Sequence, residues 1–188
     1  LLYSGNFGRA HSCDEVLALA RRMRDTPVAF SFAVRGNAAD RLRAALRDDD
    51  VNVRLAPFAP ESELERRLGA ADVHVVSLRA EWTGIVVPSK FFGALAAGRP
   101  VLFAGSRESA IARWIDELGV GWVLDEASSS AVEARLRALA ADPRELVALR
   151  ARCHAAYAER FARERVLDAW ADEMRALIDA PTSLPSRP

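Results

Sequence analysis

Lysine is nearly missing from this sequence: Lys90 is the only one, and arginine supplies the rest of the 26 basic side chains. The 26 acidic residues cancel them, so the net charge is zero. There is no basic tail or stripe, which argues against nucleic acid or an anionic membrane as a partner. Cysteine is scarce. Cys13 and Cys153 lie far apart in helix-like segments, which makes neither a disulfide framework nor a metal cluster and fits a reducing compartment. The histidines His11, His74 and His154 are equally scattered, so no metal site is expected. No apolar run approaches the ~20 residues that span a bilayer, and no leader pattern opens the chain. Two glycine-rich signatures are also absent. The first glycines are spaced Gly5-x-x-Gly8, unlike the Gly-x-Gly-x-x-Gly of dinucleotide folds or a phosphate loop ending in Gly-Lys-Ser/Thr.

What is present suits a single core: 188 residues, 51% of them hydrophobic. The opening Leu1-Leu-Tyr-Ser-Gly5 reads as a strand that starts at once. From this we expect a piece of a longer protein.

Apolar strand-like runs fall at residues 1–3, 28–34, 51–55, 73–78, 100–104 and 121–124. Segments of helical period fill the gaps at 13–24, 39–47, 61–68, 89–97 and 107–118. Short strands apolar on both faces, alternating with helices, predict an α/β domain: a doubly wound, Rossmann-like parallel sheet covered on both sides. After Leu124 the alternation stops, and 128–141, 144–161 and 165–178 are all helical. The expected organisation is one domain over 1–178 and a disordered, proline-bearing tail over 179–188.

In such sheets ligands bind outside the carboxyl ends of the strands, so the loops there carry the site. The first holds Gly5, Asn6, Gly8, Arg9 and His11. Its glycines let backbone approach a ligand, the helix start after it offers N–H groups to phosphate, and Arg9 could clamp a diphosphate. The fourth loop is denser: Glu81, Gly84, Ile85 and Val86, then Pro88-Ser89-Lys90 opening a helix of small residues. Proline and serine at a helix start make an anion site, a carboxylate can accept from vicinal ribose hydroxyls, and lysine adds a point charge. Each residue also has a plainer reading, Arg9 as a solvated loop arginine and Lys90 as an incidental surface lysine.

These residues resemble the C-terminal domain of the large retaining glycosyltransferase family with two Rossmann halves, the GT-B architecture, often called family 4 or group 1. The resemblance covers nearly all of 1–178. It rests on Tyr3-Ser-Gly-Asn-Phe-Gly-Arg-Ala-His11, Ala71-Asp-Val-His-Val-Val-Ser-Leu78 and Gly84-Ile-Val-Val-Pro-Ser-Lys90, and is extended by Leu95-Ala-Ala-Gly-Arg-Pro-Val101. The family commonly carries Glu-x7-Glu in this loop, with the second Glu on the donor ribose. Here Glu81 matches the first position and Ser89 replaces the second, as in a subgroup reading Pro-Ser-Lys. The family also places Arg and Lys after its first strand; Arg9 fits the former, and we expect Lys90 to supply the missing charge.

The resemblance implies sugar transfer from a nucleotide-diphosphate sugar, UDP-linked by expectation, to a saccharide or lipid-linked acceptor. Arg9, Lys90 and Glu81 would be catalytic. Gly36, Pro57 and Phe58 would flank the base. No cofactor or metal is implied, since the nucleotide sugar is itself the donor substrate. The partner would be the chain's own N-terminal acceptor domain, through which peripheral membrane contact is left open. The expected location is cytoplasmic, or the inner face of the membrane.

Other residues divide between roles. His11 is read equally as a ligand contact and as a capping or exposed residue; His74 is read as a satisfied buried histidine and His154 as solvated. Trp82 and Trp122 are candidate stacking residues, Trp82 being as readily a loop anchor, while Trp114 and Trp170 are expected in the core. Ser106 is either a second anion contact or an N-cap. Two alternatives stay open: a nucleotide-sugar 2-epimerase half, and a non-catalytic module that kept the fold.

Overall fold

The computed structural model describes residues 1–58 and 60–179. The alternation of short apolar runs and helices resolves into a six-stranded, all-parallel sheet with strand order β3-β2-β1-β4-β5-β6. Its strands are β1 (Leu2–Asn6), β2 (Phe30–Arg35), β3 (Val53–Leu55), β4 (His74–Ser77), β5 (Val101–Ala104) and β6 (Gly121–Leu124). The connecting helices are α1 (Asp14–Arg22), α2 (Ala39–Ala45), α3 (Leu64–Ala70), α4 (Lys90–Ala96) and α5 (Ala110–Leu118). Three more follow the sheet: α6 (Ser129–Ala141), α7 (Glu145–Ala156) and α8 (Arg163–Asp179). Thus Asp179 ends a helix, and the rest of the expected tail lies outside the described residues.

The central strands β4 and β5 are buried along their whole length, so β5 reads as an unbroken apolar run, while β4 carries His74 and Ser77 as buried polar residues at its two ends. Their side chains alternate between two cores. Tyr3, Phe32, Val75 and Leu102 pack with α1, α2 and α6 on one face, and Val76, Val101 and Phe103 with α4, α5 and α7 on the other. Each fully buried large side chain contributes about 1.5–3 kcal/mol relative to exposure. Helix α5 shows how local sequence sets an element: Ser109 accepts from Ala112 N at 3.1 Å, Ile111 and Ile115 are buried, and Gly119 closes the helix in the left-handed region. Ser109, rather than Ser106, is therefore the cap, and Ser106 only accepts from Glu108 N.

The helix expected over 144–161 is interrupted. Ala162 N bonds to Tyr157 O, which makes residues Tyr157–Phe161 a π-turn. The wider turn lets Phe161 reach Phe91, Phe92 and Trp114, at centroid distances of 5.8, 5.2 and 5.1 Å. Trp114, partly buried, packs against the core as expected; Trp170 does not, being 65% exposed on α8, a helix with no buried residue. Its apolar spacing was real, but no described element packs on that side. No helix among the described residues is long and apolar enough to cross a membrane.

Candidate functional site

The winding of the sheet reverses between β1 and β4, and ligands of open α/β sheets sit at that reversal, beyond the strand carboxyl ends. Pairing between these two strands is confined to Leu2↔His74, so a crevice opens above it. The two loops that rim the crevice are tied together. Arg79 N donates to Ala10 O at 2.9 Å, Arg79 Nε to His11 O at 3.1 Å, and His11 Nδ1 to Ser77 O at 2.7 Å.

Lys90, the first residue of α4, reaches back across this crevice onto β1. Its Nζ lies 5.1 Å from the centroid of the Tyr3 ring, a cation–π contact. A Cβ on Gly5 would stand 2.6 Å from Lys90 Cε. Gly5 was expected to bring backbone close to a ligand; in the fold it makes room for the lysine arm, in a conformation (φ +137°) that other residues rarely adopt. Burial holds the Lys90 pKa below the ordinary lysine range, with Cys13 acting in the opposite sense. No carboxylate neutralises it among the described residues: their ion pairs are all made by arginine. A half-buried cation without a counter-ion is a ready anion site.

His11 shares the Tyr3 ring, edge-on at 6.1 Å, and stacks on Phe7 at 6.1 Å. Burial first, and Lys90 second, lower its pKa, while the Ser77 carbonyl opposes them. Gly8 closes the turn by accepting from His11 N, and Arg9 is exposed on that turn, without an ion pair among the described residues. At the start of α1, Ser12 Oγ accepts from Asp14 N, and Asp14 and Glu15 put acid in the first turn, which repels anions.

A second group forms at the ends of β1, β2 and β3. Asn6 Oδ1 accepts from Arg35 Nε at 3.0 Å, and the Arg35 guanidinium lies 4.3 Å from the Phe58 ring centroid. Gly36 crosses close to β1's loop, since a Cβ there would meet Phe7 O at 2.8 Å. Pro57 precedes Phe58, and its carbonyl accepts from Arg67. The remaining expected site residues line the rim. Glu81 is 65% exposed and 3.9 Å from Arg79; Gly84, Ile85 and Ser89 are exposed, Pro88 is buried, and Val86 packs on the α4–α5 core. Trp82 packs on that core too, as a loop anchor, and Trp122 lies within β6, away from the crevice. His74 is buried and satisfied by Leu68 O at 3.0 Å, and His154 is exposed. No group of three or more potential metal ligands occurs among the described residues.

Two contributors carry no signal of their own in the sequence. Tyr3 looks like any strand apolar residue and Arg79 like a loop charge. Only pairing across the sheet shows that they build the crevice.

No family model matches the chain. It is 32% identical over 121 residues to the probable glycosyltransferase WbjE of Pseudomonas aeruginosa, a match spanning 64% of the chain and 30% of that relative. It is 30% identical over 99 residues to the putative colanic acid biosynthesis glycosyl transferase WcaI of Escherichia coli K12, spanning 52% and 24%. So the matched part is under a third of either relative. Among solved structures, TarM of Staphylococcus aureus in complex with Fondaparinux, α-GlcNAc-glycerol and UDP superposes with TM-score 0.70 at 13% identity, covering 91% of this chain and 34% of that one. The C-terminal domain of the group 1 glycosyl transferase LpcC of Francisella tularensis gives 0.63 at 16%, covering 86% and 87%. At those identities the structural likeness speaks for the fold. The chain is thus similar in sequence to two glycosyltransferases, and its sheet has the fold of the half-domain seen in the group 1 glycosyl transferase LpcC.

Proposed function

We propose that this chain is the donor-binding half of a retaining glycosyltransferase of the Pro-Ser-Lys subgroup. It would move a hexosyl or N-acetylhexosaminyl group from a UDP-linked sugar to a saccharide or lipid-linked acceptor. The observation that carries the reading is Lys90: a half-buried ammonium, without a carboxylate partner among the described residues, at the switch point of the sheet. A diphosphate there meets a cation whose hydration has already been largely lost, so the attraction is stronger than in open water.

As the bond from the anomeric carbon to the diphosphate breaks, its electron pair stays on the diphosphate oxygen. Lys90 holds that charge in place, and Arg9, free on the facing turn, swings onto the same group. The Arg35–Phe58 stack and Gly36 take the base side, and Ser89 stands where the family's ribose-binding Glu would. Glu81, at the rim, orients the sugar. The reading calls for no metal or cofactor. Turnover needs the acceptor domain, to which we assign the apolar side of α8 and any contact with the inner face of the membrane; the location is cytoplasmic.

Titration with UDP-, GDP- and ADP-sugars tests this directly. One of them should bind, and Lys90→Ala should weaken it by about tenfold or more, the loss of one charge-assisted contact. Unchanged affinity in that variant sinks the reading, and no binding to any of the three favours a module without donor chemistry.

A further inference from the structure

His11 and Lys90 pack on the same ring, Tyr3, from the two loops that meet at the crevice. The bond to Ser77 O settles the tautomer: a carbonyl can only accept, so Nδ1 carries the proton and donates it at 2.7 Å. Nε2 is then the unprotonated nitrogen, and the ring's one hydrogen bond among the described residues is that of Nδ1. The ring is held rigidly by that bond and by stacking on Phe7.

Resting on the reading of Lys90 as the diphosphate contact, we propose that His11 is a second phosphate contact that is switched on by the ligand. The diphosphate that settles on Lys90 draws a proton onto His11 Nε2, and the imidazolium then donates to a phosphate oxygen. Donor binding and proton uptake are thereby one event. The electrostatic reason is plain. In the free protein the surroundings favour the neutral ring: burial first and Lys90 on α4 second, against the bond to Ser77 O, while Arg79 after β4, Arg41 on α2 and Asp14 on α1 line the same cleft as the ring, Arg9 and Glu81 are exposed at the rim, and Tyr3 and Cys13 are buried. A bound diphosphate reverses the sign of that field. Protonation then turns a ring that only accepts at Nε2 into a donor where a phosphate needs one.

The probe is a UDP-sugar, with GDP- and ADP-sugars in turn; their diphosphates are fully ionised near neutrality and exchange no proton themselves. Calorimetry in buffers of unlike ionisation enthalpy at pH 7 should show uptake of a substantial fraction of a proton per donor bound. Affinity should strengthen as pH falls from 8 to 6, by up to about tenfold per pH unit, and level off below the free-state value of His11. In His11→Asn, whose amide keeps the bond to Ser77 O, both the uptake and the pH slope should vanish. Should that variant not fold, the imidazole carbon resonance of His11 in the unaltered protein reads the same event: its titration should move to higher pH when donor is added. Donor that binds without proton uptake, or uptake that persists in His11→Asn, overturns the inference and leaves the donor-site reading intact. No binding by any of the three sugars at any pH removes both.

Discussion

Gly5 and Lys90 sit far apart in the chain and compete for nearly the same space. The bare Cα of Gly5 lets the lysine arm lie across β1, and the φ of +137° makes a side chain there strained whatever the space. Gly5→Ala therefore carries two costs, about 1–3 kcal/mol for the backbone and a further penalty from displacing Lys90. Denaturant unfolding of Gly5→Ala, Lys90→Ala and the double variant separates them: the alanine at position 5 should cost less when the lysine is already gone. Equal costs in both backgrounds would mean that the lysine arm simply moves aside. At the same scale, arginine is not an equivalent at position 90, since its planar head is larger and differently hydrated.

Elements are held to the sheet by one ion cluster around a buried carboxylate as well as by apolar packing. Asp50, in the turn before β3, is almost fully buried and receives Arg21 Nε and Nη2 at 2.9 Å, Arg24 at 3.0 Å and Arg47 N at 2.9 Å. This pins the end of α1 to the far strands, which in turn sets the loops that hold Phe58 and Arg35. The Arg21 hydrogen bonds, with those of Arg47 N and Arg24, hold the Asp50 carboxyl well below the usual carboxylate range. A depressed carboxylate contributes stability that is complete above its unfolded pKa and is lost as pH falls through the folded one. Asp50→Asn should thus cost about 3 kcal/mol at neutral pH, and the gap to the parent should narrow below about pH 4 in chemical unfolding. A gap that is constant with pH would show that the charge is not what matters.

At the scale of the molecule, α8 is the odd element. Leu167, Trp170, Met174 and Leu177 line one side of it and are 51–65% exposed. A chain ending at Ala162 should keep its thermal midpoint within about 3 °C and bind donor unchanged, because no side chain of α8 is buried. A larger fall in a melting curve would place α8 in the domain's own core.

The sequence by itself determined the fold class, because short, mostly apolar runs such as 73–78 and 100–104, alternating with segments of helical period, fit strands of a parallel sheet with helices on both sides. It also marked, through glycines and Pro-Ser-Lys, the two loops that meet at the crevice. Only the tertiary structure decided what those residues do. Strand order places the loops of β1 and β4 face to face, and that order is set by long-range packing which no local window contains. Hence Gly5 is space for a lysine, Tyr3 a platform, and Arg79 a tie. The same limit explains Trp170. Helical spacing reports that one side is apolar, whereas burial depends on whether another element arrives to cover it.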